Sequence, residues 1–191
     1  MYKRRNALNE QHQQQLIAIA QASIRHGLDH GRPLSVQIGD YDAELEKEFA
    51  SFVTLKISGE LRGCIGSLQA YRPLVLDIAE NAYRAAFNDS RFSPMSQSEY
   101  EKLQYHISVL STPEPMQVNS EQDLLSQLRV GIDGLILTLG NRRATFLPSV
   151  WEQLPDKSDF LNHLKAKAGL TLDYWNESIE LERYTVESFG D

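Results

Sequence analysis

The chain has 191 residues, of which 41% are hydrophobic and 24% are charged, a balance typical of a globular protein with one substantial domain. Its formal net charge of −7 argues against a general nucleic-acid binder, which carries a basic face. A single cysteine excludes an internal disulfide and a cysteine-based zinc site, and no apolar run reaches the roughly 20 residues that span a bilayer. We therefore expect a cytoplasmic protein that binds neither membranes nor nucleic acid.

One long helix is predicted near the start of the chain. Met1 to Ala7 is polar and basic and is predicted to be a loose tail. Apolar residues recur at helical spacing over residues 9–26, and Gly27 is the expected stop. Residues 30–40 are predicted to form a loop, and the acidic run 42–48 is compatible with a short helix.

A β-hairpin is predicted to follow this loop. Aromatic and β-branched residues mark 49–57 as a strand, Ser58-Gly59 as a turn, and 60–67 as the returning strand. The returning strand contains LRGCIG, residues 61–66, which we call the hexapeptide. A helix is predicted next, from Pro73 to near Phe87.

The remaining elements are short helices and strands in irregular order. A capping box at Ser96–Glu99 opens one short helix, and Asn88–Ser90 has turn chemistry. Further strands are predicted at 104–110, 134–139, 142–146 and 179–189, and further helical segments at 120–128, 148–154 and 157–168. Because hairpins are mixed with helices, we predict an α+β fold with mainly antiparallel sheet and packed helices.

The hexapeptide holds the only cysteine of the chain, flanked by an arginine and two glycines. Alternation along a strand predicts that Arg62 and Cys64 point the same way, and a positive charge beside a thiol favours thiolate. Cys64 is therefore a candidate catalytic residue, and equally a candidate small buried hydrophobe. Gly63 and Gly66 allow close approach by a ligand or by another backbone.

Other candidate residues lie outside the hexapeptide. Arg91 follows the predicted helix and would bind a carboxylate or phosphate, or else is a solvated charge at a turn. His106 is a candidate base, although a solvent-facing strand residue is the simpler interpretation. At most one residue of the Arg142-Arg143 pair would join an anion pocket in this acidic protein. No pattern predicts a metal site or a cofactor, since the five histidines lack metal-ligand spacing.

A series of motifs runs in order along nearly the whole chain, about Leu8 to Phe189. They are FVTLK from Phe52, LRGCIG from Leu61, ENA from Glu80, AAF from Ala85, Asp89, Arg91-Phe92, ISVLS from Ile107, GIDGLI from Gly131, RRATFLP from Arg142, VWEQLP from Val150, KAGL from Lys167 and RYTV from Arg183. In this order they resemble the AMMECR-type domain, whose prokaryotic members are called AmmeMemoRadiSam system protein A. By this resemblance, residues 8–189 form a single AMMECR-type domain.

The resemblance implies an α+β fold with a larger lobe that holds both termini and a smaller lobe beside a cleft. It also implies an association with a Memo-like protein and with a radical S-adenosylmethionine protein. It does not imply a reaction, because no biochemical activity is established for the family.

Two functions follow as expectations. The first is a binding or accessory module with an anion-binding cleft around the hexapeptide. The second is an enzyme that uses Cys64 as a thiolate nucleophile or redox thiol on a small anionic substrate. The expected ligand-binding residues are Arg62, Gly63, Gly66, Asn81, Asp89 and Arg91.

Overall fold

The computed structural model describes residues 8–190, and these residues contain five α-helices, one short 3-10 helix and eight strands. The predicted tail at residues 1–7 lies outside the described part of the chain. The elements in chain order are α1 (Glu10–His30), β1 (Ala50–Ile57), β2 (Glu60–Gly66), α2 (Leu74–Phe87), α3 (Gln97–Tyr100), β3 (Leu103–Leu110), β4 (Glu114–Pro115), α4 (Glu121–Gln127), β5 (Gly134–Leu139), β6 (Arg142–Phe146), the 3-10 helix (Pro148–Glu152), α5 (Lys157–Lys167), β7 (Glu180–Tyr184) and β8 (Val186–Gly190). Helices mixed with antiparallel hairpins confirm the predicted α+β fold.

The chain divides into two compact units. The first comprises the described residues up to Leu110 together with those from Glu187 onward, so both ends of the described chain belong to it. The second unit is Ser111–Val186. No helix within residues 8–190 combines the length and the apolar character that a membrane span requires.

The first unit contains a sheet in the order β2-β1-β3-β8, with β1 antiparallel to both of its neighbours. Alternate residues of β1 and β3 are buried, among them Val53, Leu55 and Ile107. This alternation is expected of a sheet with one covered face. Apolar residues of α1 and α2, including Leu16 and Ile78, join them in one hydrophobic core.

The second unit contains a sheet in the order β4-β7-β5-β6 and a separate core. Trp151 is 3% exposed and stacks on Phe160 with ring centroids 3.7 Å apart. Its indole N–H donates to the carbonyl of Asp133 at 2.7 Å. The ring of this tryptophan therefore packs in the core of the second unit, and its single N–H donor is satisfied there as well.

The prediction that α1 stops at Gly27 is wrong, because the helix continues to His30 and ends at Gly31, whose φ is 69°. Gly27 serves packing instead. A Cβ at this position would lie 2.5 Å from the Phe87 ring and 2.8 Å from the Tyr83 ring. The glycine therefore lets α1 approach these rings closely.

The acidic run 42–48 forms turns and one β-bridge, so the short helix considered for it is absent. Its carbonyl groups serve a neighbouring element. Those of Lys47 and Leu45 accept hydrogen bonds from the backbone N–H groups of Leu74 and Val75, at 2.9 and 3.1 Å. These N–H groups begin α2 and have no partner within that helix.

Residues 179–189 were predicted to form one strand, and this is wrong because β7 and β8 belong to different sheets. The break falls at Thr185. Its carbonyl accepts from the N–H of Ser111 at 2.9 Å, and its N–H donates to the Ser111 hydroxyl at 3.0 Å. Alternating hydrophobicity continues across the break, which explains why the sequence pattern does not reveal it.

Candidate functional site

The hexapeptide lies on β2, which is an edge strand of the first sheet. The register between β1 and β2 shifts between Leu55 and Lys56, so that Arg62 is a bulge residue with no residue opposite it. A bulge bends an edge strand and re-aims the side chain at that point. Arg62 accordingly contacts the chain segment that follows α2.

The two hexapeptide glycines allow protein atoms to approach. A Cβ on Gly63 would lie 2.1 Å from the carbonyl oxygen of Ala85, because α2 packs directly on β2. A Cβ on Gly66 would lie 2.3 Å from the carbonyl oxygen of Ser51 and 2.4 Å from the Phe52 ring. Both glycines are thus explained by packing, and their predicted contact with a ligand stays a prediction.

Arg62 forms an ion pair with Glu99. Its Nε donates to Glu99 Oε1 at 2.7 Å and its Nη2 to Glu99 Oε2 at 3.3 Å. Nη2 also donates to the Ser93 carbonyl at 2.8 Å, and the guanidinium lies 5.6 Å from the centroid of the Phe92 ring. This two-point pairing fixes the guanidinium plane, and only 11% of the side chain is exposed.

Asp89 and Arg91 bind the backbone of Cys64 at the free edge of β2. Asp89 Oδ2 accepts from the Cys64 N–H at 2.9 Å, and Arg91 Nη2 donates to the Cys64 carbonyl at 3.3 Å. Asp89 and Arg91 also bond each other, at 2.9 Å from Nε and 2.7 Å from Nη2. The pair therefore occupies the backbone groups that a further strand would use.

The carboxylates of Asp89 and Glu99 both have a pKa below the ordinary value. The Arg91 hydrogen bond lowers the pKa of Asp89 well below its usual 3.8, and the Cys64 N–H adds to this effect. The Arg62 hydrogen bond lowers the pKa of Glu99 to about 2, with help from the backbone of Ser96. Each arginine thus neutralises a carboxylate of its own chain.

Cys64 is partly exposed, and its thiol accepts a hydrogen bond from a residue of β1. The Thr54 hydroxyl donates to Cys64 Sγ at 3.2 Å, since these residues face each other in the register. His106 is exposed and faces Thr54 from the other side, so the three residues form a row across β2, β1 and β3. Neighbouring strands lie about 4.8 Å apart, so Thr54 separates the imidazole from the thiol.

Asn81 lies in a buried polar network and is 1% exposed. Its Nδ2 donates to Asp77 Oδ2 at 2.8 Å and to the Ser51 hydroxyl at 3.2 Å. Asp77 also accepts from the Ser51 hydroxyl at 2.5 Å and from Arg72 Nε at 2.7 Å. Within the described residues, none of these hydrogen bonds reaches Arg62, Cys64 or Arg91.

The structure thus brings Arg62, Cys64, Asp89 and Arg91 together and places Asn81 in a separate network. Sequence reasoning identified the capping box that contains Glu99, and the structure confirms the box, but its pairing with Arg62 was missed. Asp77 and Arg72 were also missed, because a periodic helix pattern does not reveal a buried carboxylate. In the second unit, Arg142 donates to the Gly169 carbonyl at 2.8 Å and Arg143 lies 3.8 Å from Glu182.

Comparison with known proteins agrees with these motifs. The AMMECR1 family model matches residues 17–189 of the chain. The chain belongs to the AMMECR1 family. The match includes the whole hexapeptide together with Asp89, Arg91 and Glu99.

Members of the AMMECR1 family in archaea are similar to the chain over almost its full length. A protein of Methanothermobacter thermautotrophicus is 34% identical over 178 residues, which cover 92% of each chain. A protein of Sulfolobus acidocaldarius is 36% identical over 187 residues, covering 94% of this chain and 81% of the relative. The crystal structure of an uncharacterized protein from Pyrococcus horikoshii superposes with a TM-score of 0.75 at 31% identity, over 92% of this chain and 89% of the other. Family membership therefore fixes the fold and leaves the activity open.

Proposed function

We propose that this AMMECR1-family chain is a non-catalytic binding module that acts through contact with partner proteins. The charged side chains in and beside the hexapeptide support this proposal, because Arg62 and Arg91 are each paired with a carboxylate of the same chain. These pairs hold β2 and the segment after α2 in one fixed arrangement. The hexapeptide is, in this view, the rigid support of a surface that partners bind.

The observation that carries the proposal is the exposure of large apolar side chains on the loop that follows the hexapeptide. Leu68 is 39% exposed and Tyr71 is 54% exposed. Tyrosine and arginine are enriched among the residues that dominate protein–protein binding energy. We call residues 67–72 the hexapeptide loop.

The hexapeptide loop is anchored at both of its ends by contacts with β1 and α2. Arg72 lies 4.8 Å from the centroid of the Tyr71 ring and donates to Asp77, whose side chain is 2% exposed. The Ser67 N–H donates to the Ser51 carbonyl at 3.0 Å. A surface that is fixed before binding loses less conformational entropy when a partner docks.

The proposed partners are the Memo-like protein and the radical S-adenosylmethionine protein that the family resemblance implies. Equilibrium binding of the native chain to each partner, by isothermal titration calorimetry, tests the proposal. We expect binding to at least one, and at least tenfold weaker binding for the Tyr71→Ala and Leu68→Ser variants. The matched control is Leu172→Ser in the second unit, where the leucine is 56% exposed.

Either of two results would contradict the proposal. One is that the native chain binds neither partner. The other is that the Tyr71→Ala and Leu68→Ser variants bind as tightly as the Leu172→Ser control. Circular dichroism of each variant confirms that lost binding does not reflect lost folding.

A small anionic ligand bound at the hexapeptide is a second proposal. An incoming anion would compete with Glu99 and Asp89 for the two guanidinium groups. The observation in its favour is that Arg62 Nη1 is buried and has no hydrogen-bond partner within the described residues. Titration with sulfate or phosphate tests it: a rise in melting temperature that disappears in Arg62→Ala is expected, and no rise would contradict it.

The alternative proposal is an enzyme that uses Cys64 as a thiolate. Its support is the Thr54 hydroxyl, which donates to Cys64 Sγ at 3.2 Å and would stabilise a negative sulfur. The rate of Cys64 alkylation by iodoacetamide between pH 5 and 10 tests it. A nucleophile predicts rapid alkylation near pH 6 that slows in Thr54→Val, whereas alkylation with the pH dependence of an ordinary thiol would contradict it.

A further inference from the structure

We infer that the hexapeptide loop and the acidic segment 38–48 together form a docking surface for a basic segment of a partner protein, one in which lysine or arginine alternates with apolar side chains. The inference rests on the proposed function and adds the chemistry of the partner. It concerns the first unit alone, to which all of these residues belong.

The acidic segment makes backbone contacts with the residues that directly follow the hexapeptide loop. Glu48 forms a β-bridge with Pro73, which directly follows the loop. The carbonyls of Lys47 and Leu45 accept from the N–H groups of the next two residues, at 2.9 and 3.1 Å. Tyr71 is therefore two residues from the point where the acidic segment joins α2.

The segment carries a large share of the negative charge of the protein. Residues 38–48 contain five acidic side chains and one lysine, a net charge of −4 within a chain total of −7. Lys47 pairs with Glu44, and Asp42 lies 3.3 Å from His12. No cation of the described residues lies within ion-pair distance of Asp40, Glu46 or Glu48.

Arg72 does not offset this charge, because Asp77 neutralises it. The pair is 2.7 Å apart, and Asp77 is held by the Ser51 hydroxyl as well. The apolar contribution comes from Leu68 and Tyr71, and from Ile38 in the acidic segment, which is 52% exposed. The two segments therefore carry exposed apolar side chains together with three carboxylates, Asp40, Glu46 and Glu48, that pair with no cation of the described residues.

The chemistry of this surface selects a basic protein segment over other partners. Nucleic acids and anionic membranes are repelled by the carboxylates. An apolar surface with a charged rim is typical of protein interfaces, in which the rim charges speed association and the apolar centre supplies affinity. A partner segment with lysines beside leucines satisfies both features.

A pair of labelled peptides tests the inference on the native chain. One twelve-residue probe contains four lysines, three leucines and five serines, and the other carries glutamate in place of each lysine. Fluorescence anisotropy is expected to show binding of the lysine probe alone, weakening at least fivefold between 50 and 300 mM NaCl.

Variants locate the binding surface. The double variant Asp40→Asn/Glu48→Gln is expected to bind the lysine probe at least fivefold more weakly, because both side chains are exposed and unpaired within the described residues. Tyr71→Ala is expected to weaken binding of the lysine probe to a similar degree and to leave the salt dependence of binding unchanged. The charge-matched control is Asp173→Asn with Glu177→Gln, two exposed acids of the second unit.

Three results would overturn the inference: no binding of the lysine probe at 50 mM NaCl, equal binding of the glutamate probe, or equal losses in the acidic-segment and control variants. The last would mean that net charge alone attracts the probe. Failure here differs from failure of the proposed function. Calorimetry with the two partner proteins can still show binding that depends on Tyr71 but not on Asp40 and Glu48.

Discussion

At Gly63 a carbonyl oxygen occupies the space in which any other residue would place its Cβ. The oxygen belongs to Ala85, and it lies 2.1 Å from the position that the Cβ would take. The sequence predicts close approach at this glycine, but it does not indicate what approaches. The answer depends on how α2 crosses β2, which is a property of the tertiary packing.

Gly63→Ala is expected to destabilise the protein by about 3 kcal/mol, because the backbone of α2 must move away from β2 to admit one methyl group. Urea unfolding followed by circular dichroism measures the change. Leu61→Ala is the matched control in the same strand, since Leu61 is 40% exposed, and its effect is expected to be about 0.5 kcal/mol. A Gly63→Ala variant as stable as this control would contradict the packing described here.

The pairing partners of the charged residues in the site could not be predicted from the sequence. Arg62, Asp89 and Arg91 were among the residues predicted to bind an anionic ligand. The pairing of Arg62 with Glu99 joins residues 37 positions apart, and the bulge that directs Arg62 towards Glu99 arises from the register of β1 and β2. Neither has a signature in local sequence.

At the scale of elements, two carboxylates attach β2 to the stretch of chain that runs from the end of α2 through α3. Asp89 binds the Cys64 N–H and Arg91, and Glu99 binds Arg62. Both carboxylates have a pKa below the ordinary value, Glu99 at about 2. They therefore stabilise the fold above their unfolded-state pKa values of about 4.

Acidification is expected to weaken this attachment. As the pH falls from about 5 towards 2, the unfolded chain binds protons at these carboxylates before the folded chain does, so the free energy of unfolding decreases. Glu99→Gln removes one of these titrating carboxylates and is therefore expected to reduce the decrease in unfolding free energy. The expected reduction is about 1 kcal/mol, because Glu99 is one-third exposed and solvent partly screens its pairing with Arg62. Urea unfolding at pH 7, 5, 4 and 3 provides the comparison, and parallel profiles for the native chain and the variant would contradict it.

Most element boundaries could be predicted from periodicity, turn residues and caps, as in the hairpin β1–β2 and the capped helix at Ser96. Three of the exceptions share a cause. Gly27, the acidic run 42–48 and the break at Thr185 are each determined by contacts with distant parts of the chain. Local patterns report local preference, and tertiary contacts override it at these three places.

At the scale of the whole molecule, two observations support the proposed function: Arg62 and Arg91 pair with carboxylates of the same chain, and the hexapeptide loop is exposed. Charges that are satisfied within the chain keep the strand rigid, and the rigid strand presents Leu68 and Tyr71 outward. In the proposed function, this rigid strand supports the loop that partners bind. We therefore propose that partners bind at residues 67–72.

Amide hydrogen exchange tests this location most directly, measured on the native chain alone and with the Memo-like protein or the radical S-adenosylmethionine protein. We predict slower exchange over residues 67–72 in at least one mixture, with no change around Leu172. Protection confined to the second unit, or no protection anywhere in the chain, would contradict the account.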